Sequence, residues 1–576
     1  MKNRRKKWLI IIAATLLVGT SAVLTTQVVK SKQDSATKVT KTVSDEQKAA
    51  QKFFIPATSN GDVDELNYDS SKITKTNDIY KESTQTEILA QLTAKKAEAD
   101  YSVTNPLLLS NPFLTNTNSV YAYFKSDTAV TKLEYTVHVA DDDIADFTAT
   151  AKNNSATAGE YEYLLIGLIA GEKNTVTMTA TLADGTTQEK TFSFTPTKLT
   201  SGSANKLNVE SGESTQKMSN GLFALIGDRS TGSVQITMVD NDGYIRNEIP
   251  TVSYNQLRLV FDDEGYMYFS ISGARIVKMS GLGQIVATYN TYDYDYEIHH
   301  DFALDSNGDI IALATSLTAK KETKYVEDRI VKISTDTGKV TELVDFEDLL
   351  PDLYDKATGI DTLTNNKGYH DPIHANAIQL IDDDTILISS RETSSILKIS
   401  SLNETPKVEY TIGDESVWED IDLDADVLEK VGDFTAQAGQ HSITYVPTDE
   451  AGVYEVYMFN NNSGLMESRT DFEFTNYDGI GGYAPTDSDN SYYYRYRVDE
   501  NKGTFTLIDK IKVPYSPFIS SVQELDGNVV VDSGQKAVFS EYDEDGDVIK
   551  TFSVNGATKF IYRVFKYDFA GFYFAE

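Results

Sequence analysis

The chain has 576 residues, too many for one ordinary hydrophobic core, so two or more domains are expected. With 52 basic against 87 acidic side chains and a net charge of −35, it lacks the basic footprint of a nucleic-acid binder, although a local positive pocket can still hold a small anion. Cysteine is absent, which excludes disulfides, cysteine metal sites and cysteine nucleophiles.

The N-terminus opens with the basic run MKNRRKK, the apolar run WLIIIAATLLV and the small residues Gly19 to Ala22. This reads as a secretion signal cleaved after Ala22, or as an uncleaved anchor, because apolar residues continue to Val29 and the run is long enough to span a bilayer. In both cases the basic flank stays inside and the rest is exported, to the cell surface or beyond. Residues 1–29 are therefore assigned to a signal peptide or membrane anchor, and 30–104 to a polar tether with helical segments. A short helical pattern covers 44–54. A stronger one covers 80–101, with good helix formers and with Ile88, Leu89 and Leu92 on one face, expected to pack on a neighbouring domain.

Residues 105–200 carry short period-two runs such as KLEYTVHVA and NTVTMTATL, separated by Asp, Gly and Asn turns. Several such strands over this length predict an immunoglobulin-like β-sandwich. His138 lies on one of them and reads as an ordinary strand histidine. A polar linker covers 197–208. From Met218 onward a repeat appears: six units of apolar strands around acidic turns, which predict a six-bladed β-propeller over 210–576. The fold class is all-β. Two insertions, 346–369 and 414–440, and a polar loop, 460–490, are long enough to be lids or rim walls. The turns DNDG, DDEG, DSNGD and DEDGD lack the full calcium-loop spacing and read as turn residues, with a bound calcium ion as the alternative.

The chemistry gathers in three histidine clusters: His299 and His300 in EIHHDF, His370 and His374 in YHDPIHANAI, and His441 in AGQHSI. Each stands at the apolar start of a unit, so three successive blades offer a histidine to one funnel. Arg391 leaves the fourth unit where its second strand ends, beside His374. Imidazole is a competent nucleophile and proton carrier near neutral pH. Arginine offers a permanent, planar fork for tetrahedral oxyanions. Together they suit transfer of a sulfuryl or phosphoryl group. No Ser-His-Asp motif, phosphate loop or Gly-rich nucleotide loop is evident, so no cofactor and no nucleotide donor are expected. Three histidines also fit a zinc site, but Arg391 would repel a dication and no shared carboxylate is obvious.

These residues resemble the bacterial aryl-sulfate sulfotransferases, the nucleotide-independent group. NPFLTNTNSVYAYF through GLIAGEKNTVTM is similar to the family's small N-terminal sandwich. HHDFALDSNGDI, DPIHANAIQL, SSRETSSILKI, AGQHSITYVP and YSPFISSVQELDGNVV are similar to successive segments of its propeller. The resemblance implies that His441 is a nucleophile that becomes sulfohistidine. Arg391, His374 and a histidine of HHDF, aligned to His300 with His299 as the alternative, would hold the sulfuryl group, and Tyr562 and Arg563 would line the pocket. It implies a ping-pong reaction between a phenolic sulfate donor and a phenol acceptor, in a homodimer. Two other readings remain at this stage: a non-enzymatic surface propeller that binds a ligand or partner, and a metal-dependent hydrolase or lactonase on the same fold.

Overall fold

Period-two runs of Val, Ile, Tyr and Phe between Asp and Gly turns fold into antiparallel sheets, because alternate side chains reach opposite faces of a pleated strand. The computed structural model describes residues 62–576 except 70, 203, 228–234, 254, 327–328, 363–367, 465, 471, 473–478 and 555–559. The expected signal or anchor at 1–29 and the helical pattern at 44–54 lie outside the described residues.

The first folded unit is a two-sheet sandwich. Leu107–Ser110, Val120–Lys125 and Glu160–Leu165 make a three-stranded sheet; Phe147–Thr150, Val130–Val139, Asn174–Leu182 and Thr187–Phe194 make a four-stranded one. Asn174–Leu182 alternates buried and half-buried at every residue, the pattern of a strand with one face on a core. Phe124, Tyr135, Val176, Met178 and Phe192 fill the space between the sheets. His138 hydrogen-bonds Asp146 on the surface.

The helix before the sandwich runs Glu82–Lys96, shorter at both ends than the 80–101 pattern. A separate turn, Thr76–Ile79, precedes it. Ile88 and Leu92 are buried, but Leu89 is 40% exposed. One residue advances 100° around a helix, whereas four return to the same face, so Leu89 does not share the buried stripe. Gln85 accepts the Ile285 N–H at 3.1 Å, which docks the helix on the outer strand of the second propeller sheet.

Six sheets follow. The second to sixth begin with the strands Leu259–Phe261, Tyr296–Leu304, Ala375–Asp382, His441–Pro447 and Ser521–Leu525, and each runs outward through three antiparallel neighbours. These five strands are the inner edges of blades 2 to 6. From blade 3 round to blade 1, the inner strands of neighbouring blades touch.

Blade 1 differs from its sequence repeat. Leu222–Ile226 is not innermost; the C-terminal strand Arg563–Tyr567 pairs along its inner side. At the other end, Asn208–Ser211 pairs with the outer strand of blade 6, Val548–Ser553. A closed ring leaves no edge only if its ends interlock, and here both chain ends of the propeller take part. The 414–440 insertion also departs from a lid. It lends Asp426–Val427 and Glu429–Lys430 as parallel outer strands to blades 4 and 5.

Candidate active site

The inner strands do not start as regular strands. The ladder slips between Ile298 and Phe302 in blade 3, between Ala375 and Ala377 in blade 4, and between His441 and Thr444 in blade 5. Near the same places His300, His374 and Ser442 take φ values of 55°, 47° and 56°. Such bulges re-aim side chains, and left-handed backbone at non-glycine residues persists only where surrounding bonds enforce it.

His441 is buried. Its Nδ1 lies 2.8 Å from Asn461 Oδ1 and 3.0 Å from the Gly439 carbonyl, both acceptors. Its Nε2 accepts the Ile519 N–H at 3.2 Å. The ring is therefore neutral, with its proton on Nδ1 and its lone pair on Nε2. Burial, reinforced by the charges of His374 and Arg391, pushes it down to about 3 from 6.5, against the hydrogen bonds of Asn461 and Gly439. Both charges belong to blade 4, His374 just before its inner strand and Arg391 just after the next.

His374 is also buried, and its Nδ1 stands 2.5 Å from Asp371 Oδ2. The His300 ring lies edge-on to His374 at 4.8 Å and to Tyr562 at 6.0 Å. His299 stands on the far side of this pair, its Nδ1 2.8 Å from His300 Nδ1. Strand alternation would part adjacent histidines, but the bulge suspends it. His300 is thus the member grouped with His374. The backbone N–H of Arg391 donates to the His374 carbonyl at 3.2 Å, which places the arginine and the histidine side by side at the top of blade 4.

Comparison with known families covers both folded units. The arylsulfotransferase (ASST) family matches residues 208–564, and the arylsulfotransferase Ig-like domain matches 107–196. The chain belongs to the arylsulfotransferase family. It is accordingly a sulfotransferase enzyme, built as an Ig-like sandwich and a propeller. No curated protein matches it. Among solved structures, a candidate 6-phosphogluconolactonase from Bacteroides uniformis is 10% identical over 73% of this chain and 96% of that one, with a TM-score of 0.32. AztD from Citrobacter koseri is 13% identical over 76% and 98%, with a TM-score of 0.24. Both are too distant to bear on activity.

In this arylsulfotransferase the carboxylates behind the cationic groups were not legible as such. Asp371 stands three residues before His374, and Glu392 directly follows Arg391. The Arg391 guanidinium donates to Glu392 Oε1 at 2.5 Å. The other Glu392 oxygen accepts from Glu467 N, Ser468 N and Ser468 Oγ at 2.9, 3.0 and 2.7 Å. Gly359 N in turn donates to the Ser468 carbonyl at 2.9 Å. Gly359 of the 346–369 insertion and Glu467 and Ser468 of the 460–490 loop thus meet at the acid that holds Arg391. Asn461, just after the second strand of blade 5, carried no sequence signal, and Ile519 lay within YSPFISSVQELDGNVV without being singled out.

Arg563 does not line a pocket. It is buried and donates to Asp301 Oδ1 at 2.9 Å, to the Leu257 carbonyl at 3.3 Å and to the Asn376 carbonyl at 2.8 Å. Its neighbour Tyr562 does approach the site, with its hydroxyl 3.3 Å from the His300 carbonyl. His370 is set apart, with Nδ1 2.7 Å from the Gly359 carbonyl and its ring against Tyr325. The acidic turns cap themselves: Asp305 accepts from Asn307 N and Asp309 N, and Asp543 from Asp545 N and Asp547 N. Among the described residues no group of three or more His, Asp or Glu is arranged to hold a metal ion.

Proposed function

We propose that this arylsulfotransferase moves a sulfuryl group from a phenolic sulfate ester to a phenol in two steps, through a sulfohistidine on His441 and without a nucleotide. The observation that carries the reading is the neutral, Nδ1-protonated His441, whose Nε2 keeps its lone pair and whose ring feels the charges of His374 and Arg391.

In the first step Nε2 of His441 attacks sulfur and the bond from sulfur to the aryl oxygen breaks. The departing phenolate takes a proton from Nε2 of His374, whose Nδ1 is fixed by Asp371. In the second step the acceptor phenol gives its proton back to that atom. Its oxygen then attacks sulfur, and the nitrogen–sulfur bond breaks. Phenols ionise near about pH 10, so general base help matters at neutral pH. Arg391 and His300 meet the negative charge spread over the sulfuryl oxygens. Phe518, beside Ile519, stacks on Tyr483 at 5.5 Å with an interplanar angle of 7°, and with Tyr562 it offers aromatic surface for aryl groups.

The test is transfer from 4-nitrophenyl sulfate to added phenol by the purified protein, with no nucleotide, with and without a chelator. Nitrophenolate release that depends on phenol and ignores the chelator is expected. Absence of transfer to any phenol by folded protein contradicts the reading, and loss to the chelator favours a metal-dependent hydrolase instead.

A further inference from the structure

Asn461 follows the second strand of blade 5 and is fully buried. Its Nδ2 donates to two carbonyls, Ser516 O at 2.8 Å and Ile519 O at 2.9 Å. Only the amide nitrogen can serve two carbonyl oxygens, which fixes the flip of the side chain. Oδ1 must then face His441, and because it can only accept, the His441 proton must sit on Nδ1.

The same asparagine grips the backbone strap that meets the other side of the ring. Ile519 and Ser520 have φ values of 56° and 92°. A β-branched residue in the left-handed region is a true outlier, and strain of this kind is held by what surrounds it. Here the holders are the Asn461 amide, Ser516 Oγ on the Phe518 carbonyl at 3.0 Å, Ser520 Oγ on Ser516 Oγ at 2.9 Å, and Ser520 N on the Tyr562 carbonyl at 3.2 Å. The strained backbone aims the Ile519 N–H at Nε2 of His441.

We infer that Asn461 is a positioning residue for sulfuryl transfer: it fixes His441 as the Nδ1–H tautomer and locks the 516–520 strap so that the Ile519 N–H stands at the attacking nitrogen. As the nitrogen–sulfur bond forms, the Nε2 lone pair is consumed, and that N–H passes from nitrogen to a sulfuryl oxygen. This rests on the reading of His441 as nucleophile. The charged or titratable groups acting on His441 are His374 and Arg391 of blade 4, while Asn461 and the strap bring neutral groups only.

The experiment is the pH profile of the first nitrophenolate burst from 4-nitrophenyl sulfate, for the parent protein, Asn461→Asp and Asn461→Ala. A carboxylate at this position favours the imidazolium, which has no lone pair on Nε2. The burst rate of Asn461→Asp at about pH 5.5 relative to about pH 8.5 is expected to fall roughly tenfold or more below the parent ratio. At the higher pH it should exceed Asn461→Ala. An Asn461→Asp profile parallel to the parent, lowered equally at every pH, overturns the inference. Histidine 15N NMR of the parent protein decides the point if the variants fail to fold: Nδ1 of His441 should be protonated and Nε2 not, and the opposite tautomer overturns it. If His441→Ala still transfers sulfate, the nucleophile reading fails. If His441→Ala is dead and the two profiles run parallel, only the role of Asn461 fails.

Discussion

At the residue scale, the histidines differ by what stands behind them. The folded His441 ring takes up a proton only near about 3, whereas an exposed imidazole does so near 6.5. Between those values the unfolded chain binds the proton and the folded chain does not, so this contribution to stability is complete above 6.5 and is lost as pH falls toward 3. Urea unfolding should therefore show less stability at about pH 5 than at about pH 7, and His441→Gln should flatten that dependence. His374 is backed instead by a carboxylate, the arrangement that favours a proton on the ring. Asp371→Asn should slow turnover roughly 100-fold with phenyl sulfate and much less with 4-nitrophenyl sulfate, whose phenolate leaves without help. Equal losses on both donors would remove His374 from proton transfer. The three histidines stand out in the sequence because each comes at the start of a repeat unit, and Arg391 because it stands where the second strand of one ends. Asp371 and Glu392 were visible only as neighbours in sequence, and Asn461 had no local mark because its meaning is a contact with the start of the neighbouring strand.

At the element scale, the bulges at the inner-strand starts and the rim insertions decide where these groups point. Period-two alternation predicts strands well, but a bulge is one residue out of register and leaves no trace in the pattern. That is why alternation could not choose between His299 and His300. The rim shows the limit of reading loops by length. Gly359 from the first insertion and Glu467 and Ser468 from the polar loop do meet beside Glu392, whereas part of 414–440 serves as sheet edge. The joint between the two rim segments leaves no room at Gly359, where an added Cβ would lie 1.8 Å from the Glu467 carbonyl oxygen. Gly359→Ala should push the 467–468 backbone off Glu392 and loosen Arg391. The expected result is a raised KM and lowered kcat for aryl sulfate with little change in Tm; unchanged kinetics would detach the rim from the site.

At the scale of the whole molecule, the ring closes through its C-terminal strand, and Arg563 fastens that strand across the axis to blades 2, 3 and 4. Asp301, its partner, is fully buried and lies beside His300. Removing one member of a buried pair costs about 3–5 kcal/mol where the other charge is left uncompensated; Arg258 Nε, 3.5 Å from Asp301 Oδ1, keeps part of the compensation, so the lower end applies here. Arg563→Ala should lose that much stability in urea unfolding and should lose activity in parallel; a variant of parental stability would show that closure does not depend on the clasp. The sandwich and the repeated blades were legible because their strands pair with near neighbours. The exchange of end strands was not, because it joins segments far apart in the chain with no periodicity to announce it.

The most direct test of sulfuryl transfer through His441 is to mix the protein with 4-nitrophenyl sulfate without any acceptor and locate the retained sulfuryl group by peptide mass spectrometry at high pH. The expected result is one equivalent of nitrophenolate per protein and a sulfuryl group on the peptide that contains His441, lost on adding phenol and absent in His441→Ala. Release that requires phenol from the outset, or a sulfuryl group on any other residue, would contradict it.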